Sequence, residues 1–191
     1  MKIGIIGDGN VGSALQRGLT KAGHDVKAVG NDPAAIRETA RNAEIVILAV
    51  PYGAIDDVVR NVAGEVDNKV VIDVTNALKP DFSLAVGLTT SGAEELQKKL
   101  PGSRVVKAFN TVFAQHMDGG RVKGEQLTVM AAGDDADAKK VVIDLAKGIG
   151  FDAVDAGPLQ SARLIEPLAL LNISLGYMFG LGMDIGFRLV R

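Results

Sequence analysis

The chain has 191 residues, 47% of them hydrophobic, with 21 basic and 23 acidic side chains and a formal net charge of −2. That length suits one α/β domain spanning residues 1–191 and is short for two; the apolar fraction excludes disorder, and the balanced charge supplies no basic footprint for nucleic acid. Cysteine is absent, which excludes disulfides and thiolate metal sites and fits a reducing compartment.

The first twelve residues organise the rest. Ile3 to Ile6 is an apolar run that predicts a buried strand, and it leads directly into Gly7, Gly9 and Gly12. In that G-x-G-x-x-G spacing the glycines serve a tight turn, a close backbone approach to a pyrophosphate, and close packing of helix on strand. With a strand opening this early, no leader peptide is expected, and the protein is expected to be soluble and cytoplasmic.

A helical stripe over Val11 to Ala22 follows, with Gly23 as its stop. Asp25 to Val29 predicts a second strand, closing in Gly30-Asn31-Asp32-Pro33. An acidic residue about this far past the glycines can grip an adenosine ribose, and Asn31 or Asp32 can equally cap a helix beginning at Pro33. After a helix over Ala34 to Asn42, the run from Glu44 to Val50 has the β-branched character of a strand buried on both faces, and Pro51 ends it. Ala54 to Val62 predicts a helix and Lys69 to Val74 a strand ending in Asp73-Val74-Thr75-Asn76.

Ala77 to Ser91 has no period and predicts a functional or mobile loop. Then come a helix over Glu94 to Leu100, strands over Arg104 to Phe109 and Leu127 to Ala132, a helix over Asp135 to Ile149, and a last strand over Phe151 to Asp155. A helix from Ser161 to about Leu175 and a glycine-spaced apolar tail finish the chain. Seven strands alternating with helices predict right-handed crossovers and a doubly wound, mainly parallel Rossmann-type sheet. Only Leu164 to Met183 approaches the ~20 apolar residues of a membrane span, and Glu166 within it favours a buried helix.

Candidate chemistry is sparse. His24 sits in a turn far from the strand ends and reads as structural; His116 reads as a solvated loop histidine. Asp118, Asp134 and Asp135 read as caps or solvated groups, Asp56 and Asp57 as an exposed helix start, and Met130, Met178 and Met183 as core filler. No metal cluster and no nucleophile-plus-base pair is expected, so no catalytic side chain is assigned. Hydride transfer between two redox cofactors needs mainly alignment, and a rim of Thr75, Asn76, Ala108, Asn110 and Thr111 suits it.

Four ordered stretches carry a resemblance: Gly7 to Gly12, Asp73 to Asn76, Val105 to Thr111, and Asp155 to Leu159 with Ser161 to Arg163. Over nearly its full length the chain resembles the NADP oxidoreductases dependent on coenzyme F420, and the soluble reductase domain of the STEAP metalloreductases. The resemblance implies a homodimer that transfers hydride between a nicotinamide dinucleotide, NADP or NAD, and a deazaflavin (F420) or flavin acceptor. It implies dinucleotide contacts at Gly7, Gly9, Asn10, Val11, Asn31, Asp32, Val50, Pro51, Thr75 and Asn76, with the acceptor near Ala108, Asn110 and Pro158-Leu159. The family commonly carries an arginine after the second strand for the 2′-phosphate of NADP. Here Asp32 stands in that turn, which leans the expectation toward NAD unless Lys27 or Arg37 reaches in. Alternatives are reduction of a small organic substrate, and a dinucleotide-sensing module without turnover. The apolar tail is expected to serve dimerisation.

Overall fold

The structure is a computed structural model describing residues 1–191. Its centre is a run of short strands whose β-branched and leucine side chains are buried: β1 (Lys2–Ile6), β3 (Ile45–Leu48), β4 (Val70–Asp73) and β5 (Arg104–Lys107). A strand buried on both faces needs this composition. β2 (Asp25–Val29) shows the alternating exposure of an edge. A two-stranded hairpin, β6 (Arg121–Val122) with β7 (Glu125–Gln126), follows β5, and β8 (Thr128–Gly133) and β9 (Asp152–Asp155) complete the chain's strands.

Seven of these form one sheet in the order β2-β1-β3-β4-β5-β8-β9. From β2 to β5 all pairings are parallel. β8 is antiparallel to β5, and β9 is parallel to β8, so the last two strands run against the other five. A parallel step requires a crossover of a dozen or more residues. Between β5 and β8 the chain makes a loop with one short 3-10 turn (Ala114–His116) and the small hairpin instead, and no α-helix carries it back across the sheet. The hairpin turns at Lys123 and Gly124, both at positive φ, as a two-residue connection requires.

Helices cover both faces. α1 (Asn10–Lys21) and α5 (Ala136–Ile149) pack Leu15, Leu19, Leu145 and Ile149 into one core. On the opposite face α2 (Pro33–Asn42), α3 (Ile55–Val62) and α4 (Gly92–Lys99) bury Ile36, Val58, Val62 and Leu96, joined by the start of α6 (Ala162–Ile173). Each such side chain contributes about 1.5–3 kcal/mol on burial. Three helices have side-chain caps: Asp32 accepts from Ala35 N–H at 2.7 Å, Ser91 from Glu94 N–H at 3.2 Å, and Asp135 from Ala138 N–H at 2.7 Å.

Boundaries differ from expectation where the chain leaves the sheet to line a cleft. β3 stops at Leu48 and β5 at Lys107; Phe109, expected inside a strand, has φ +65°. α4 begins at Gly92, two residues before the expected Glu94. α6 ends at Ile173 and widens into a π turn over Ser174–Met178. Met178 and Met183, expected in the core, are exposed. The tail turns back along the reversed strands: Phe187 O accepts from Thr128 N–H at 3.0 Å and Arg191 pairs with Asp152 at 2.8 Å. No helix is long and apolar enough to cross a membrane.

Candidate functional site: a dinucleotide groove at the strand ends

β1 lies between β2 and β3, so the connections from β1 and from β2 depart to opposite sides, and the carboxyl ends of β1 and β3 border a crevice. Open α/β sheets bind ligands at such a switch point. The three glycines there have different causes. Gly7 has φ +111°, and a Cβ on it would lie 2.2 Å from the carbonyl oxygen of Ala49; a Cβ on Gly12 would lie 1.8 Å from that of Gly7. Both are demanded by the fold itself. Gly9, at φ −69° and ψ −168°, has a backbone open to any residue and nothing within 4 Å of an added Cβ. A side chain there would fill only the crevice. α1 starts at this point with no side-chain cap and no acid in its first turn, leaving backbone N–H groups and the positive end of the helix dipole for an anion.

Two adjoining cavities run along the crevice. The larger, about 810 Å³, lies between Gly7–Gly9, Gly30-Asn31-Pro33 and the first two turns of α3. The smaller, about 290 Å³, lies between Asn10-Val11, Tyr52 and Val74-Thr75-Asn76. Gly9, Ala49, Val50 and Pro51 belong to both and form the common floor. The two cavities meet over the glycine turn. Of the expected contacts, Gly7, Gly9, Asn10, Val11, Asn31, Val50, Pro51, Thr75 and Asn76 line the groove.

Asp32, Ala108 and Asn110 do not. The Asp32 carboxylate is taken up in capping α2. Two acids line the larger cavity, Asp57 and Asp8; the Asp8 carboxylate lies against Gly30, where a Cβ would sit 3.0 Å from Asp8 Oδ2. The cation in the same cavity is Arg60, paired with Asp57 on its own helix. Nothing in the sequence pattern singled it out, because α3 reaches the groove only through tertiary packing. Arg37 sits beside it, within 3.4 Å of Asn61 Oδ1, whereas Lys27 pairs with Glu38 at 3.6 Å and does not line the groove.

Beneath the smaller cavity lies a buried ion cluster. Lys107, fully buried, donates to Asp73 Oδ2 at 3.0 Å and to the carbonyl of Thr75 at 2.6 Å, and pairs with Glu166 Oε1 at 3.1 Å. Burial pulls the Lys107 pKa down, but Asp73 and Glu166 outweigh it and hold the ammonium above the ordinary lysine value. Glu166 also accepts from the Gly92 and Ala93 N–H groups at the start of α4, at 2.9 and 3.1 Å. The sequence carried a signal for this cluster: a lysine in an apolar strand and a glutamate in an apolar helix each need a buried partner, and their charges are opposite. Asn110 is buried next to it. Its Nδ2 lies 3.4 Å from the Ile165 carbonyl and 3.5 Å from Asn76 Oδ1, and its Oδ1 has no partner. Ala108 is fully buried behind the rim.

Pro158-Leu159 lies elsewhere. Because β9 runs against β5, the loop after it sits at the opposite edge of the sheet, where Leu159 N–H donates to Asp134 at 2.9 Å and the side chain packs near Val105 and Leu96. His116, expected to be solvated, is mostly enclosed: its Nε2 lies 3.1 Å from the Met183 carbonyl and 3.4 Å from Asp184, tying the tail to the loop after β5.

The chain is similar to proteins of known description along most of its length. Residues 2–77 match the family described as NADP oxidoreductase, coenzyme F420-dependent. The chain is 32% identical over 173 residues to the F420-dependent NADP reductase of Methanothermobacter marburgensis, covering 85% of this chain and 75% of that one. It is 30% identical over 188 residues to the metalloreductase STEAP3 of Rattus norvegicus, of which it spans 37% of the length. A solved structure from Arthrobacter sp. FB24, described as a candidate F420-dependent NADP-reductase, superposes over the whole of both chains with a TM-score of 0.92 at 28% identity. The chain belongs to the coenzyme F420-dependent NADP oxidoreductases, a family of nicotinamide-dependent oxidoreductases with a Rossmann-type fold.

Proposed function

We propose that the protein binds NADP(H) along the groove and passes hydride between its nicotinamide and a deazaflavin or flavin acceptor. The single observation that carries this reading is Gly9, a glycine the fold does not need, at the uncapped start of α1 where two cavities meet. The N–H groups of α1 would hold the pyrophosphate, the larger cavity the adenosine end, and the smaller the nicotinamide. The bound dinucleotide supplies the hydride chemistry; the chain's part is to align it and to exclude water. Thr75, Asn76 and Tyr52 wall the nicotinamide end, and Ala108 and Asn110 stand behind that wall and not against the ligand.

The preference for NADP rests on two facts. Asp32, the acid that argued for NAD, is occupied as a helix cap, and Arg60, paired with Asp57, is a guanidinium in the wall of the adenosine end, with Arg37 bonded to Asn61 of the same wall. Asp8 in the same cavity favours the second reading, NAD, whose free ribose hydroxyls can donate to a carboxylate. A homodimer joined through the exposed Leu164, Leu171, Tyr177 and Phe179 belongs to the reading as well.

Fluorescence titration with NADPH and NADH, followed by mixing with coenzyme F420 or with a free flavin, tests all of this. Tighter binding of NADPH and transfer to one acceptor is the expected outcome. Failure to bind either dinucleotide sinks the proposal; tight binding with no transfer to either acceptor leaves a sensor and removes the hydride step. A protein that sediments as a monomer removes the dimer.

A further inference from the structure

Three ionisable groups buried together are costly, because each loses its hydration and a pair or triad seldom recovers more than that loss. Lys107, Asp73 and Glu166 are each at most 3% exposed. What the charges accomplish is visible in their remaining hydrogen bonds. Asp73 Oδ1 accepts from the Thr75 N–H at 2.9 Å, and Lys107 donates to the Thr75 carbonyl at 2.6 Å. Both backbone groups of Thr75, which has left the sheet and has no ladder partner, are therefore held by the cluster. Thr75 with Val74 and Asn76 forms one wall of the smaller cavity.

The third member reaches the other wall. Glu166 holds the first two N–H groups of α4, and Gly92 there packs so closely on Tyr52 that an added Cβ would lie 3.1 Å from its Cε2. Tyr52 and Thr75 both line this cavity. Beside the cluster, the buried Asn110 Oδ1 has no hydrogen-bond partner within the chain.

We propose that Lys107, Asp73 and Glu166 are positioning residues for the nicotinamide end of the groove: they set the spacing between the Thr75–Asn76 wall and the Tyr52 wall without touching the ligand. This assignment rests on the dinucleotide reading above. It differs from a purely structural role in one respect. A structural anchor would affect both ends of the dinucleotide alike or neither, whereas a positioning cluster acts on the nicotinamide end alone.

The test compares NADPH with 2′,5′-ADP, which occupies only the adenosine end. The variant combines Lys107→Met, Asp73→Asn and Glu166→Gln, which removes all charge and nearly preserves shape. The expected result is 2′,5′-ADP affinity within about twofold of the parent while NADPH binds about tenfold more weakly, the cost of a misplaced contact surface. Equal NADPH affinity, or equal loss for both ligands in a protein with unchanged circular dichroism, overturns the assignment. Should the triple variant not fold, Asp73→Asn alone, which keeps an acceptor for Thr75 N–H, is read by the same ratio; about a threefold shift supports the assignment and an unchanged ratio overturns it. A parent protein that binds 2′,5′-ADP and NADPH equally well overturns the assignment while leaving the dinucleotide reading in place. A parent that binds neither of these, nor NADH, removes both.

Discussion

The five parallel strands and the two reversed ones are built from the same material and end up with different work. In both regions a short buried strand is followed by a glycine- or aspartate-bearing turn and a helix. Past β1, β3 and β4 those turns meet at one edge and form the groove. Past β8 and β9 the equivalent turns, with Asp134 and Gly157-Pro158, point to the opposite edge and bind each other: Gly133 N–H donates to the Gly157 carbonyl at 3.1 Å, and Lys139 bridges Asp155 and that same carbonyl. Strand direction alone decides whether a turn of this kind lines a ligand site or closes a scaffold.

The largest expected contrast concerns the lysines at the two edges. Lys107→Met leaves two buried carboxylates without their cation and is expected to cost about 3–5 kcal/mol in denaturant unfolding. Lys139→Met, which breaks a pair with the largely exposed Asp155, is expected to cost no more than about 1 kcal/mol and to leave dinucleotide binding alone. Comparable losses would dissolve the distinction between the two regions.

Within the groove the glycines divide in the same way. Gly12→Val drives a side chain into the Gly7 carbonyl and should cost about 3 kcal/mol or more. Gly9→Val should cost within about 1 kcal/mol yet abolish NADPH binding, because it fills only the cradle. A Gly9 variant that binds normally would show that no phosphate approaches there. Smaller again, Asp32→Ala should lose about 1 kcal/mol of helix capping with the NADPH-to-NADH preference unchanged; a marked rise in NADPH affinity would return Asp32 to the ribose.

The mildest effect is at the seam between the regions, where Arg163 of α6 forks onto Glu94 of α4 at 2.7 and 2.9 Å. Arg163, with help from the Ser91 hydroxyl, holds the Glu94 carboxyl below its ordinary value of 4.5. Its folded pKa is the lower one, so its contribution is complete above about pH 4.5 and is lost as pH falls through the folded value. Melting curves between pH 6 and 3 should show a shallower acid decline for Glu94→Gln than for the parent; identical declines would remove the effect.

Much of this was readable in one dimension. Continuous β-branched runs located β1, β3, β4 and β5, glycine spacing located the turn that opens the groove, and Asp32 and Asp135 announced themselves as caps beside the ligand reading. The hairpin at Arg121–Gln126 was missed because two-residue strands have no period. Arg60 was missed because its place on α3 says nothing of the groove until α3 packs beside α2. Asn110 was expected against the acceptor and lies buried behind the wall, since the chain turns inward at Phe109.

The sequence by itself determined that a tight glycine turn opens an alternating α/β chain, because backbone sterics at glycine and the burial of apolar runs are local properties. Strand direction is not local: β8 reads the same forwards or backwards, and only the missing crossover after β5 set it against its neighbour, moving Pro158-Leu159 to the far edge. The partners of Lys107 were decided at the same level. Asp73 and Glu166 come from a different strand and from the last helix, and only the packed sheet brings them within 3.1 Å of one ammonium.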